Sequence, residues 1–109
     1  MITYKDNLLK KINDLKSVDF NHVFINLKDN KLYLEFFKDL FYICETSFNV
    51  YNENNKRFCV SIYKSDLLKI KRFLDKSKSR IINIDYDNYY LVIKDKTKTI
   101  KINKSVFNY

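Results

Sequence analysis

The sequence predicts an α+β fold in which two pseudo-equivalent strand-helix-three-strand units set two adjacent helices against antiparallel sheet. Two segments with helical spacing of apolar residues are each followed by three short β-rich runs, polar turns fall at corresponding places, and the two halves match at several positions. A chain of 109 residues is long enough for one hydrophobic core and too short for two, so residues 1–109 read as a single domain with the repeat over 1–51 and 57–107. Apolar residues at 46% and aromatics at 17% supply enough surface to offset the entropy of ordering the chain.

The first helix is expected from Asp6 to Lys16, where Leu8, Ile12 and Leu15 recur on one face and Thr3 and Asp6 are available as caps. Val23 to Leu27 and Leu32 to Phe36 read as a hairpin. Its turn, Lys28-Asp29-Asn30-Lys31, uses Asp and Asn for left-handed backbone in a chain without glycine. Leu40 to Cys44 continues the meander past Lys38-Asp39, with Phe48 and Val50 trailing it, and the polar stretch Asn52 to Lys56 is the connector. Phe58 to Tyr63 then reads as a strand, and Ser65 as the cap of a second helix running to about Ser77 with Leu67, Ile70 and Leu74 inward. A second meander follows: Ile81 to Ile84, a turn at Asp87-Asn88, Tyr89 to Ile93, a turn at Asp95-Lys96, and Thr99 to Ile102. The tail from Lys104 to Tyr109 reads as a short edge strand or a frayed end.

Sliding the chain by about 59 residues matches Tyr4 with Tyr63, Lys5 with Lys64, Leu8 with Leu67, Lys10 with Lys69 and Leu15 with Leu74. A slide of about 57 matches Ile25-Asn26-Leu27 with Ile82-Asn83-Ile84 and Tyr33-Leu34 with Tyr90-Leu91. In a sequence this rich in Leu, Lys and Ile, the order of elements carries more than the identities. The twofold unit, and the run from Ser61 to Ile70 followed by Ile82-Asn83-Ile84 and Tyr90 to Ile93, resembles one domain of a DNA sliding clamp, a processivity factor, and the likeness covers nearly the whole chain. In that family six such domains close a ring around DNA, with the helices on the inner wall and the sheets paired edge to edge. The resemblance implies the same for this chain, which carries one domain and would need about six copies.

The formal charge is +8, from 21 Lys and Arg against 13 Asp and Glu, which points to a polyanionic partner. The absence of Gly and Pro beside abundant Lys, Asn, Ile and Tyr marks an A+T-rich (low-GC) gene, so part of the lysine excess reads as codon composition. On the second helix a rotation of ~100° per residue gathers Lys69, Arg72 and Lys76 opposite the inward leucines. On the first, Lys10 lies opposite Leu8, Ile12 and Leu15, flanked by Lys11 and Lys16, with Asp14 interrupting. Side by side, the helices would form one patch of Lys10, Lys11, Lys69, Arg72 and Lys76, extended by Lys78 and Arg80, suited to sequence-independent contact with duplex phosphates. The competing reading is a solvated helix face. A winged helix-turn-helix is excluded because at least three strands separate the helices.

Catalysis finds little support. The lone His22 has no Cys or Asp at useful spacing and reads as structural. Without glycine there is no phosphate-cradling loop. Asp85, Asp87, Glu35 and Lys38 read as turn and surface residues ahead of a metal site, and Tyr33, Tyr42, Tyr63, Tyr86, Tyr89 and Tyr90 as packing, with base stacking open to Tyr89. Cys44 and Cys59 read as small core hydrophobes, the alternative being a disulfide between them. The N-terminus lacks the apolar core of a signal peptide and no apolar run approaches the ~20 residues of a membrane span. The expectation is a non-enzymatic, cofactor-free, self-associating DNA-binding protein of the cytoplasm, without a membrane partner. The alternative is an accessory protein of a phage, plasmid or virus, a mobile genetic element, that binds and modulates a host replication or defence protein in the host cytoplasm. A nuclease subunit is a third reading.

Overall fold

The computed structural model describes residues 1–15, 17–87 and 89–105; Lys16, Asn88 and the tail beyond Ser105 lie outside the described residues. Ten elements follow in order: β1 (Ile2–Tyr4), α1 (Lys5–Asp14), β2 (His22–Lys28), β3 (Lys31–Lys38), β4 (Phe41–Asn49), β5 (Phe58–Tyr63), α2 (Lys64–Lys76), β6 (Ile81–Tyr86), β7 (Tyr90–Lys94) and β8 (Thr99–Asn103). They form two four-stranded antiparallel sheets, ordered β1-β6-β7-β8 and β4-β3-β2-β5. Each half therefore places its first strand in the sheet built by the other half's meander.

The two pairings that exchange strands are equivalent residue for residue: Tyr4 opposes Ile81 as Tyr63 opposes His22, and Thr3 opposes Ile82 as Ile62 opposes Val23. The same spacing continues into the hairpins, where Ile25 opposes Leu34 and Ile84 opposes Ile93. The structural equivalence of the hairpins thus runs at 59 residues rather than the 57 read from Ile25-Asn26-Leu27. An even slip of two keeps every side chain on its own face of a strand, so the apolar pattern alone does not separate the two registers.

Neither helix begins on the expected caps. The N-cap residues are Tyr4 and Tyr63, both extended, and no side chain caps either helix. Each strand instead runs straight into its helix, and the first helical amide is taken by the main chain of the other half: Lys5 N–H donates to Arg80 O and Lys64 N–H to Asn21 O, both at 2.9 Å. Thr3, expected as a cap, is buried in β1.

One core lies between the sheets and under the helices. Leu8 and Ile12 of α1 and Leu67, Ile70 and Leu74 of α2 pack there with Val23, Ile25, Leu34, Phe36 and Ile62 of one sheet and Ile82, Ile84, Leu91 and Ile93 of the other. α1 and α2 touch. Asp29, Asp39 and Asn55 hold left-handed backbone with φ of 57°, 53° and 49°, the conformations that glycine usually supplies and that Asp and Asn tolerate best otherwise.

β4 carries a feature that the sequence reading did not include, and one expectation about β5 is corrected. The expected third strand is present as β4 from Phe41, with Leu40 in the β3–β4 turn; Leu40, Phe41, Tyr42 and Ile43 are all exposed, Leu40 at 86%. β4 is an edge strand whose register shifts at Phe36/Phe37, so its apolar anchors come later, at Phe48 and in the following Val50. Cys59 is exposed, because Phe58, Val60 and Ile62 occupy the core-facing positions of β5 and leave Cys59 on the outer face; Cys44 is half-buried against the core, and both thiols are free.

Candidate nucleic-acid interface

The seven basic residues singled out in the sequence fall on α1, α2 and the loop after α2. Lys10, Lys69, Arg72, Lys76, Lys78 and Arg80 are exposed and Lys11 is half-buried. Burial of Leu8 and Ile12 on α1, and of Leu67, Ile70 and Leu74 on α2, turns the opposite faces of two touching helices outward. Among these residues Lys69 approaches Asp66 at 3.4 Å, and elsewhere on α2 Lys71 pairs with Asp75 at 2.9 Å. Both are surface pairs at helical spacing and hold little energy. Asp14, which interrupts the face of α1, is exposed.

The loop after α2 alternates. Lys76, Lys78 and Arg80 point out while Ser77 and Ser79 are buried. Ser77 Oγ donates to Asp95 Oδ2 at 2.7 Å in the β7–β8 turn, and Lys5 Nζ reaches Ser77 O at 2.7 Å, so this basic loop is tied both to the second hairpin and to the start of α1. Lys71 is a further basic residue of α2 that helix periodicity passed over, while Lys96 and Lys98 lie off the helix faces, on the β7–β8 turn that folds beside the end of α2.

Residues considered for other chemistry take structural roles. His22 is buried, its Nδ1 lies 2.9 Å from Asn21 Oδ1, and its ring stacks on Phe37 at 5.5 Å. Burial lowers its pKa below the usual value, opposed by the Asp39 carboxylate. Asp87 Oδ1 accepts the Tyr89 and Tyr90 amides at 2.8 Å, which holds its carboxyl below the usual range, and Asp85 pairs with Lys56 at 3.7 Å. Lys38 pairs with Asp19 at 3.0 Å. Tyr86 packs on Phe58 with ring centroids 4.5 Å apart, whereas Tyr89 is 74% exposed. Among the described residues no helix is long and apolar enough to cross a membrane.

Two touching helices on two antiparallel sheets that exchange their first strands define a sliding-clamp-like domain. In three dimensions the chain is similar to the DNA polymerase III beta subunit from Thermotoga maritima, with a TM-score of 0.82 at 15% identity over 100% of this chain and 31% of that one. The same holds for the DNA polymerase III subunit beta from Pseudomonas aeruginosa, with a TM-score of 0.78 at 14% identity over 96% of this chain and 29% of that one. Proliferating cellular nuclear antigen from Entamoeba histolytica gives 0.75 at 13% identity over 95% of this chain and 44% of that one. At the level of sequence, no family model and no curated protein matches the chain. The chain spans less than half the length of each of these clamp chains.

Proposed function

We propose that residues 1–109 form one clamp-fold domain of a non-enzymatic DNA-associated protein that contacts duplex phosphates through the outward faces of α1 and α2 and works as an assembly of several copies. The reading is carried by the contact between the two helices, which turns Lys10, Lys11, Lys69, Arg72 and Lys76 away from the core within a fold shared with sliding clamps. Lys78 and Arg80 extend the patch. Contacts of this kind release counterions and carry no sequence information.

Assembly has a structural route. The outer edge of β1 is bridged by Tyr51, through Ile2 N–H to Tyr51 O at 3.0 Å and Tyr51 N–H to Ile2 O at 2.8 Å, and β5 receives Ser105 N–H on Ser61 O at 2.7 Å. Among the described residues β4 and β8, at the opposite ends of the two sheets, each have one neighbouring strand. An edge with one neighbour is a template for another strand, and β4 to β8 contact between copies is head-to-tail, the geometry that closes rings.

Titration of a fluorescent blunt duplex at increasing salt tests the DNA assignment: affinity falls steeply with salt if the helices grip phosphates, and absence of binding at low salt overturns it. A second reading, an accessory protein that docks on and modulates a host protein, draws on the exposed run Leu40-Phe41-Tyr42-Ile43. A stable monomer indifferent to duplex favours it.

A further inference from the structure

The loop leaving α2 and the β7–β8 turn enclose a recess of about 500 Å3. Lys76 at the end of α2 and Lys78 of the following loop line it on one side, Lys96 and Lys98 on the other, and Phe73 of α2 lies on its wall. The two loops are fastened to each other beneath the lysines. Ser77 Oγ donates to Asp95 Oδ2 at 2.7 Å, Ser79 Oγ accepts Lys96 N–H at 3.2 Å, and Asp95 Oδ1 accepts the Thr97 and Lys98 amides at 2.8 and 2.6 Å. Those donors keep the Asp95 carboxyl ionised, with its pKa held down to about 2, and they occupy the oxygens that would otherwise pair with a lysine. Among the described residues none of the four lysines takes part in an ion pair. The recess is therefore lined by four lysines around one carboxylate already satisfied by Ser77 and by its own turn, beside the half-buried ring of Phe73.

We propose that this recess holds one nucleotide of a single-stranded nucleic acid, with phosphates on the lysines and the base against Phe73. Its volume lies in the range of small-ligand pockets, roughly 300–1,000 Å3. A paired base is stacked inside its duplex and has no access to a recess of this size, whereas an unpaired base does. A basic groove with an aromatic platform is also the combination by which single strands are bound without sequence preference. The inference goes beyond the helix-face reading: Lys76 and Lys78 are common to both, while Phe73, Lys96 and Lys98 belong to the recess alone.

Fluorescence anisotropy with an oligothymidylate of about ten nucleotides and with a blunt duplex separates the two sites. The surface double variant Lys96→Glu/Lys98→Glu is expected to weaken oligothymidylate binding about tenfold or more and to leave duplex affinity within about twofold. Phe73→Leu is expected to weaken oligothymidylate roughly fivefold or more, with folding checked by thermal melting. Lys69→Glu/Arg72→Glu is expected to do the reverse, weakening duplex binding and sparing the single strand. The proposal is overturned if oligothymidylate does not bind, if its affinity is unchanged in Lys96→Glu/Lys98→Glu, or if inorganic polyphosphate displaces it as well as unlabelled oligothymidylate does. Binding of oligothymidylate without binding of duplex sinks the helix-face reading and leaves the recess standing.

Discussion

Single residues carry most of the local tuning in a chain that has no glycine. Thr3 is buried at the centre of β1, and among the described residues its Oγ1 is the buried side-chain oxygen without a hydrogen-bond partner. An unsatisfied buried hydroxyl costs about 1–3 kcal/mol, so Thr3→Val, of the same shape, is expected to raise stability by about 1 kcal/mol in a denaturant melt; a loss of stability shows that the hydroxyl is paired in solution. Asp95 pulls the other way. Its pKa is depressed from the ordinary 3.8 to about 2 by Ser77 Oγ and the Thr97 and Lys98 amides, so its stabilising effect is present above pH 3.8 and vanishes as pH falls through about 2. Asp95→Asn is therefore expected to lower the melting temperature at neutral pH and to converge with the parent protein near pH 2, whereas a gap that persists at pH 2 sinks this account. The sequence showed Asp29 as a turn residue, because Asp tolerates positive φ. It did not show Asp95 as the joint between two loops, since its partner Ser77 is 18 positions away.

At the scale of elements, periodicity was a reliable guide to the helices and a poorer one to edge strands. Leu67, Ile70 and Leu74 are almost fully buried, as their spacing required, and the basic residues fall on the opposite face. For β4 the same reasoning found the strand but not the exposure of the apolar run at its start, because an edge strand packs on one flank only and the residues that project past its neighbour find nothing to cover them. The paired helix faces lead to a quantitative expectation. Lys69→Glu/Arg72→Glu, both exposed, should leave the melting temperature within a few degrees and reduce the slope of log K against log salt for duplex by about 2, one per lost phosphate contact. An unchanged slope removes α2 from the interface.

For the molecule as a whole, assembly decides what the fold is able to do. The body measures 36 × 28 × 24 Å and its interior is filled by one apolar core, so a single copy has no channel with which to surround a duplex. Light scattering is expected to report a multiple of 13.3 kDa that falls toward the monomer when Ile43, on the open edge of β4, is replaced by Lys. A parent protein that is monomeric at high concentration rules out the ring and leaves the exposed β4 end to another partner. The number of strands and their order along the chain were readable in the sequence. Which strand joins which sheet was not, because β1 and β5 are chemically similar and their choice of partner depends on contacts far away in the chain.

That choice makes the halves inseparable. β1 lies in the sheet of β6 to β8, and β5 in the sheet of β2 to β4, so neither half owns a complete sheet. Cleavage in the exposed stretch from Glu53 to Arg57 would yield two pieces that each lack a strand the other holds, and they should reassociate and refold only together. The same topology lets one molecule lend its first strand to a second, a built-in route to a swapped dimer. Either unit taken alone would leave a sheet one strand short and could complete it only by pairing with a second unit.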